Sequence, residues 1–160
     1  MSTPTPFLQP TSGERFFNRF FGFLVGLGIG PSHTYLLQVE GRKSGRMYST
    51  PVSILNYGDK RYLVAPRGET QWVRNARVSA KIWLKRGRSR QQFRITELDD
   101  RAKPDILKNY LNRYRTVVSR YFPLPVGAPL EAFSDIARRY PVFELVTKTD
   151  AQALNVVESE

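Results

Sequence analysis

Apolar residues along this chain change their spacing several times, and each change marks an element. Over residues 13–25, Phe16, Phe17, Phe20, Phe21, Leu24 and Val25 recur at helical spacing and build one apolar face. Thr11 or Ser12 can cap that helix, Glu14 suits its first turn, and Gly26, Gly28, Gly30 and Pro31 end it. From Thr34 strand formers take over: residues 34–40 make one strand, stopped by Gly41, and residues 48–57 a second. Gly58-Asp59 turns that second strand into a third over residues 61–65. Residues 69–80 suit a helix better than a strand. Residues 81–85 and 91–98 pair as a hairpin around Arg86-Gly87-Arg88, which reads as a solvated turn. Asp99 or Asp100 then caps a helix predicted to reach Tyr121, with apolar marks at Ile106, Tyr110, Leu111, Tyr114 and Val118. Pro123, Pro125 and Pro129 interrupt the chain before a short helix over 130–139 and a closing strand over 141–147.

Consecutive hairpin-linked strands argue for an antiparallel sheet or barrel, not a doubly wound parallel sheet. The expected class is α+β, mainly β, with helices flanking the strands. A chain of 160 residues suits one core. The expected organisation is a flexible tail over 1–11, one domain with its N-terminal helix over 12–148, and a C-terminal tail over 149–160.

Composition narrows the chemistry. The chain has no cysteine, which excludes disulfides, thiolate nucleophiles and cysteine-held metals. Its one histidine, His33, leaves little from which to build a histidine metal cluster or a Ser-His-Asp triad, so no metal is expected. The start of the chain lacks a secretory pattern, and the apolar run over 20–30 falls short of the ~20 residues that span a bilayer. A cytoplasmic location follows as the expectation. The phenylalanine-rich helix packs on the core as the favoured reading, with peripheral contact to a membrane surface as the alternative.

Charge points to an anionic ligand. Lys and Arg number 25 against 14 Asp and Glu, a formal net charge of +11. No acidic residue lies between Glu69 and Glu97, where Arg74, Arg77, Lys81, Lys85, Arg86, Arg88, Arg90 and Arg94 all fall. Aromatics such as Trp83 and Phe93 stand among these cations, yet no nucleic-acid motif accompanies them, and nucleic acid is not the expected partner. Gly26-Leu-Gly28-Ile-Gly30 is not a dinucleotide fingerprint, because a helix precedes it and Pro31 follows. Gly41-Arg42-Lys43-Ser44-Gly45-Arg46 lacks the upstream glycine of a nucleotide-hydrolase phosphate loop. It remains a good anion cradle: two glycines allow a tight turn, Ser44 adds a hydroxyl, and three cations add charge.

The run Gly41-Arg-Lys-Ser-Gly-Arg-Met-Tyr-Ser-Thr-Pro-Val52 resembles the cofactor-binding strand of the deazaflavin-dependent nitroreductase and quinone reductase family. Val64-Ala-Pro-Arg-Gly-Glu-Thr-Gln-Trp-Val-Arg-Asn75 resembles its second signature, and Arg139-Tyr-Pro-Val-Phe143 the end of the domain in many members. The resemblance implies a split β-barrel of antiparallel strands, like that of flavin-binding split-barrel proteins. It implies coenzyme F(420), a hydride-carrying 8-hydroxy-5-deazaflavin with a phosphate and an oligoglutamate tail, with FMN as the alternative cofactor. By matching positions, Lys43, Ser44 and Gly45 would hold the anionic tail, and Thr50, Pro51 and Val52 would lie along the deazaflavin. Ala65, Pro66, Arg67 and Gly68 would approach it with backbone, while Trp72 and Asn75 would close the site.

The implied partner is a small electron-poor acceptor such as a quinone, enone or nitro compound, and no catalytic residue is assigned. Tyr121 and Tyr140 are candidates for orienting a substrate or donating a proton. Taken without the family, Trp72 reads equally as a core tryptophan and Asn75 as a helix-capping or solvent-facing amide. The chain departs from the family pattern at Tyr48, where many members carry arginine. Arg46, two residues earlier, would share its face if the strand is regular and would then supply the charge. The segment between Gly68 and Trp72 is also shorter than in the best-known nitroreductases.

Overall fold

In the computed structural model, which describes residues 30–150 together with Leu24 and Gly28, the strands close into an antiparallel barrel. In chain order these are β1 (Thr34–Glu40), β2 (Met47–Tyr57), β3 (Lys60–Val64), β4 (Lys81–Arg86), β5 (Ser89–Glu97) and β6 (Val142–Val146). Their order around the barrel is β1-β2-β3-β6-β5-β4, with β4 returning to β1. Within residues 30–147 they are accompanied by α1 (Gln71–Ser79), α2 (Pro104–Arg113), α3 (Arg115–Val118) and α4 (Leu130–Ile136). The expected α+β split barrel is therefore the observed fold. The helix expected over 13–25 and the tail expected over 1–11 lie outside the described residues, Leu24 apart, as do residues 151–160 of the C-terminal tail. No helix among the described residues is long and apolar enough to cross a membrane, and none of them cluster as metal ligands.

Alternation along the strands makes two cores. Leu37, Val39, Ile54, Leu63, Ile82, Leu84, Phe93 and Phe143 face the lumen. The opposite faces of β2, β3 and β6 present Leu55, Tyr62, Val64 and Val142 to α2, α3 and α4, which bury Leu107, Tyr110, Leu111, Val118 and Phe133 against them. Helix α1 joins the lumen side instead, seating Val73 and Ala76 among Val39, Ala65 and Ile82 at one end of the barrel.

The long helix expected from Asp99 to Tyr121 forms in pieces. Asp99 does cap, its carboxylate accepting from the Arg101 and Ala102 N–H groups at 3.0 and 3.2 Å, but it caps a single 3-10 turn over Asp100–Ala102. Pro104 then opens α2, where its missing N–H removes no helical bond. The helix breaks again at Tyr114 (φ −110°), whose hydroxyl donates 2.6 Å to the Ile54 carbonyl of β2. A ring pinned to a strand carbonyl fixes the backbone there against a regular helical turn.

The hairpin at Arg86 is a correction. It is not merely a solvated turn: the Arg86 guanidinium donates to the carbonyls of Gly30 (2.7 Å), Pro31 (2.8 Å) and Thr34 (2.9 Å), with Gly28 at 3.4 Å. It straps the segment that leads into β1. The charge-patterned sequence shows the cation, but the acceptors lie more than fifty residues away and leave no local trace.

Two stability measurements follow. Arg86→Ala is expected to lower the unfolding free energy by roughly 2–4 kcal/mol, since several charge-assisted bonds to carbonyls are lost. Arg88→Ala, at an exposed position of the same turn, is expected to change it by less than about 0.5 kcal/mol, and urea denaturation separates the two. His33 stacks on Tyr114 at 4.5 Å. Burial, then Arg113 and Arg86, hold its imidazole below the usual 6.5. The unfolded chain therefore takes up this proton first, so stability should decline as pH falls from about 6.5 toward the lower folded value. His33→Asn should flatten that part of the stability profile.

Candidate functional site

The barrel is incomplete along part of β2. Residues 47–53 of that strand pair with β1, whereas β3 pairs only with residues 54–57. The β3-facing edge of residues 47–53 is left without a strand partner among the described residues. Pro51, which has no N–H to give a ladder, sits in this half, where a strand can accommodate it. Beyond the end of β3, residues 65–68 form a turn, with the Gly68 N–H donating to the Ala65 carbonyl at 3.1 Å. Gly68 has φ +80°, and a Cβ there would meet the Arg139 carbonyl at 3.4 Å. Val52, Ala65 and Trp72 belong to one lumen-side cluster, so residues from both signature runs meet. Thr50 shares the inward face through its partner Leu37, while Pro51 lies opposite Leu36 on the other face. Pro66 and Arg67 are half-buried.

The basic turn joins β1 to β2. Gly41 N–H donates to the Arg46 carbonyl at 2.7 Å and Gly45 N–H to the Gly41 carbonyl at 2.9 Å. Gly45 has φ +69°, a left-handed conformation in which a side chain would be strained. Ser44 shapes the turn: its hydroxyl accepts from the Arg46 N–H at 3.2 Å and lies 3.4 Å from the Tyr48 hydroxyl. A Cβ on Gly41 would come 2.6 Å from the Tyr48 ring, so Tyr48 packs down on the glycine and props the turn from below. Lys43 and Arg46 are exposed, and neither side chain makes an ion pair among the described residues. Arg46 precedes the first residue of β2, so the two-residue spacing that would align it with Tyr48 on a regular strand does not fix its face.

Asn75 is the link between turn and helix. It neither caps α1 nor faces solvent: it is 1% exposed. Its Oδ1 accepts from the Arg42 N–H at 3.2 Å and from the Arg42 guanidinium at 2.8 Å, tying the basic turn to α1. Its Nδ2 is buried with no hydrogen-bond partner among the described residues. Thr70 stands at the N-cap of α1 without capping it, and its hydroxyl oxygen is likewise buried and unpartnered. Buried polar groups are nearly always bonded, so two such atoms at the same helix stand out. Trp72 is half-buried against the lumen cluster, 6.0 Å from the Phe143 ring, and forms the edge of the core.

Tyr140 is withdrawn from proton transfer. Its ring stacks on Phe122 at 4.5 Å, its hydroxyl donates 2.7 Å to the Tyr121 carbonyl, and burial pushes its phenol upward. Tyr121 is half-buried beneath the Arg120 guanidinium at 4.9 Å. The sequence reading missed Arg42 and Thr70. Arg42 was one cation of a run. Thr70 carried the ordinary signal of an N-cap, and only its failure to cap singles it out.

A model of the F(420)H(2)-dependent quinone reductase family matches residues 14–127, a stretch that contains both signature runs. The search of curated proteins gives no match. Among solved structures, a protein of unknown function from Agrobacterium tumefaciens is similar with TM-score 0.54 and 19% identity, over 89% of this chain and 59% of that one. The present chain thus spans less than two thirds of that protein's length. A second structure, described as a domain-swapped dimer, is similar with TM-score 0.51 and 18% identity, over 83% of this chain and 92% of the other. At these identities the two likenesses show the fold alone.

The Asn75 tie can be tested without any ligand. Asn75→Ala should cost about 1–3 kcal/mol of stability, because it leaves the Arg42 donors without their acceptor. Asn75→Asp keeps that acceptor and should cost less, a comparison that chemical denaturation resolves.

Proposed function

The chain belongs to the F(420)H(2)-dependent quinone reductase family, and we propose that it is an oxidoreductase working along the open edge of β2 with coenzyme F(420) and a quinone-type acceptor. The observation that carries this reading is the pairing of two kinds of unsatisfied group. Exposed Lys43 and Arg46, without an ion pair among the described residues, stand on the turn, and Thr70 Oγ1 and Asn75 Nδ2, without a hydrogen-bond partner among them, lie at α1. A cofactor with an anionic tail and a polar ring system suits both. When bound, the deazaflavin supplies the hydride carrier, and the protein supplies position and electrostatics.

Each residue then has a task. Lys43 and Arg46 attract the phosphate and carboxylates of the tail, while Gly45 lets the backbone turn beneath it. Ser44 and Tyr48 act through the turn, which they brace, and Arg42 with Asn75 holds the turn at a fixed distance from α1. Thr50, Pro51 and Val52 line the strand side, Ala65, Pro66, Arg67 and Gly68 the opposite side, and Trp72 and Thr70 the end toward the helix. Apolar Val52, Ala65 and Trp72 exclude water beside the ring, which strengthens the remaining electrostatics. The acceptor is a small electron-poor molecule, a quinone first. Contact of the phenylalanine-rich N-terminal segment with a membrane surface belongs to the same reading, supported by its sequence pattern and by the apolar character of quinones.

Binding of the cofactor tests the tail assignment. Lys43→Ala and Arg46→Ala should each weaken coenzyme F(420) by roughly tenfold or more, as a charge-assisted hydrogen bond of about 1.5–3 kcal/mol is lost. Added salt should weaken the wild-type complex and close the gap to the variants. Tyr48→Phe should bind almost as wild type, because the ring stays on Gly41. Fluorescence titration of the deazaflavin measures all four, and variants that bind like wild type would remove those cations from the site.

A further inference from the structure

The end of the barrel away from the basic turn holds an arginine with nothing to neutralise it. Arg61 is opposite Leu145 on β3, which places it on the lumen face with Leu63. Its guanidinium lies 5.2 Å from the centre of the Phe93 ring and 5.6 Å from that of Tyr35. The rings hold it by cation–π attraction but offer no hydrogen-bond acceptor to its five N–H donors. Among the described residues it makes no hydrogen bond or ion pair. Arg61 is half-buried, so part of its hydration is lost without a counter-charge in return, a loss that an apolar residue at this lumen position would not have.

Beside it is a cavity of about 90 Å³, lined by Tyr35, Arg61, Leu84, Ser89, Gln91 and Phe93. That is several times the ~10–15 Å³ that one water needs on this measure, and because the cavity is partly open a larger body can extend out through its mouth. Its chemistry is divided. Tyr35, Leu84 and Phe93 give apolar walls, while Ser89 and Gln91 add a hydroxyl and an amide on β5. Arg61 supplies a single planar fork. One cation between flat rings matches a planar monoanion better than a tetrahedral dianion, which needs more charge and donors in three dimensions.

We propose that this lumen is a second binding site, specific for a small carboxylate with a short apolar or aromatic body. The carboxylate takes two N–H donors along one edge of the Arg61 guanidinium, and its body lies among Tyr35, Leu84 and Phe93. The site is independent of the cofactor reading, since Lys43 and Arg46 belong to the opposite end of the strands. The adjoining strap, in which Arg86 grips the carbonyls leading into Tyr35, holds one side of the lumen in place.

Calorimetric titration of the full-length protein with acetate, propionate and benzoate, against phosphate at matched ionic strength, tests this. One equivalent of carboxylate should bind saturably, tighter as the apolar body grows, with phosphate weaker than benzoate. Arg61→Gln should weaken benzoate by about tenfold or more. Ser89→Trp, which fills the cavity, and Gln91→Leu, which removes the amide, should each weaken it too, and they decide the matter if Arg61→Gln does not fold. Absence of saturable carboxylate binding, phosphate binding as tightly as benzoate, or benzoate affinity unchanged in these variants would overturn the proposal. So would loss of benzoate binding in Lys43→Ala, which would assign the anion to the basic turn.

Discussion

Strand β2 has eleven residues and β3 five, so the barrel closes with only part of β2 paired on its β3 side. Pairing with β3 begins only at Ile54, so the first half of β2 keeps β1 on one side and no strand on the other. Everything proposed for the site depends on this mismatch. A fully paired barrel would bury the same edge in a ladder. The opening is held by contacts outside the sheet: Asn75 fixes the basic turn to α1, and the Ala65 N–H donates 2.9 Å to the Pro141 carbonyl, securing the end of β3. The split is thus a built feature, braced on both margins.

The net charge of +11 resolves into distinct kinds of cation. Arg86 and Arg42 are structural, spending their donors on backbone carbonyls and on Asn75. Arg77 bridges Glu69 and Glu97 at 2.6 Å each, tying α1 to β5 and to the loop after β3. Arg90 lies across Trp83 at 4.9 Å and donates to Gln38. Among the described residues, Lys43 and Arg46 remain exposed and free of ion pairs at one end, and Arg61 has no ion pair at the other. An overall charge says that anions will be attracted. Only the geometry says where one can be held.

The sequence made the hairpins legible because turn chemistry is local. Gly58 and Gly87 take φ +63° and +58° at the turns where they were expected, and period-two patterning assigns the lumen faces. The helix beginning near Gln71 was legible for the same reason. Barrel closure was not: β3 with β6 and β4 with β1 are pairings of distant segments, supplied in expectation only by the family resemblance. Distance also hid the Arg86 strap, the Arg42–Asn75 tie and the break at Tyr114, each a side chain meeting a partner tens of residues away. The two signature runs mark the margins of the proposed site. The orphaned atoms within it, Thr70 Oγ1 and Asn75 Nδ2, are properties of packing that no local pattern encodes.

The central claim is that the open edge of β2 serves hydride transfer from reduced coenzyme F(420) to a quinone. The most direct measurement is anaerobic mixing of the full-length protein with reduced coenzyme F(420) and menadione, following the return of the oxidised deazaflavin absorbance. The account predicts protein-dependent oxidation with one quinone reduced per cofactor, and no protein-dependent acceleration over the spontaneous reaction when reduced FMN replaces the deazaflavin. Turnover with reduced FMN but none with reduced coenzyme F(420) would contradict it.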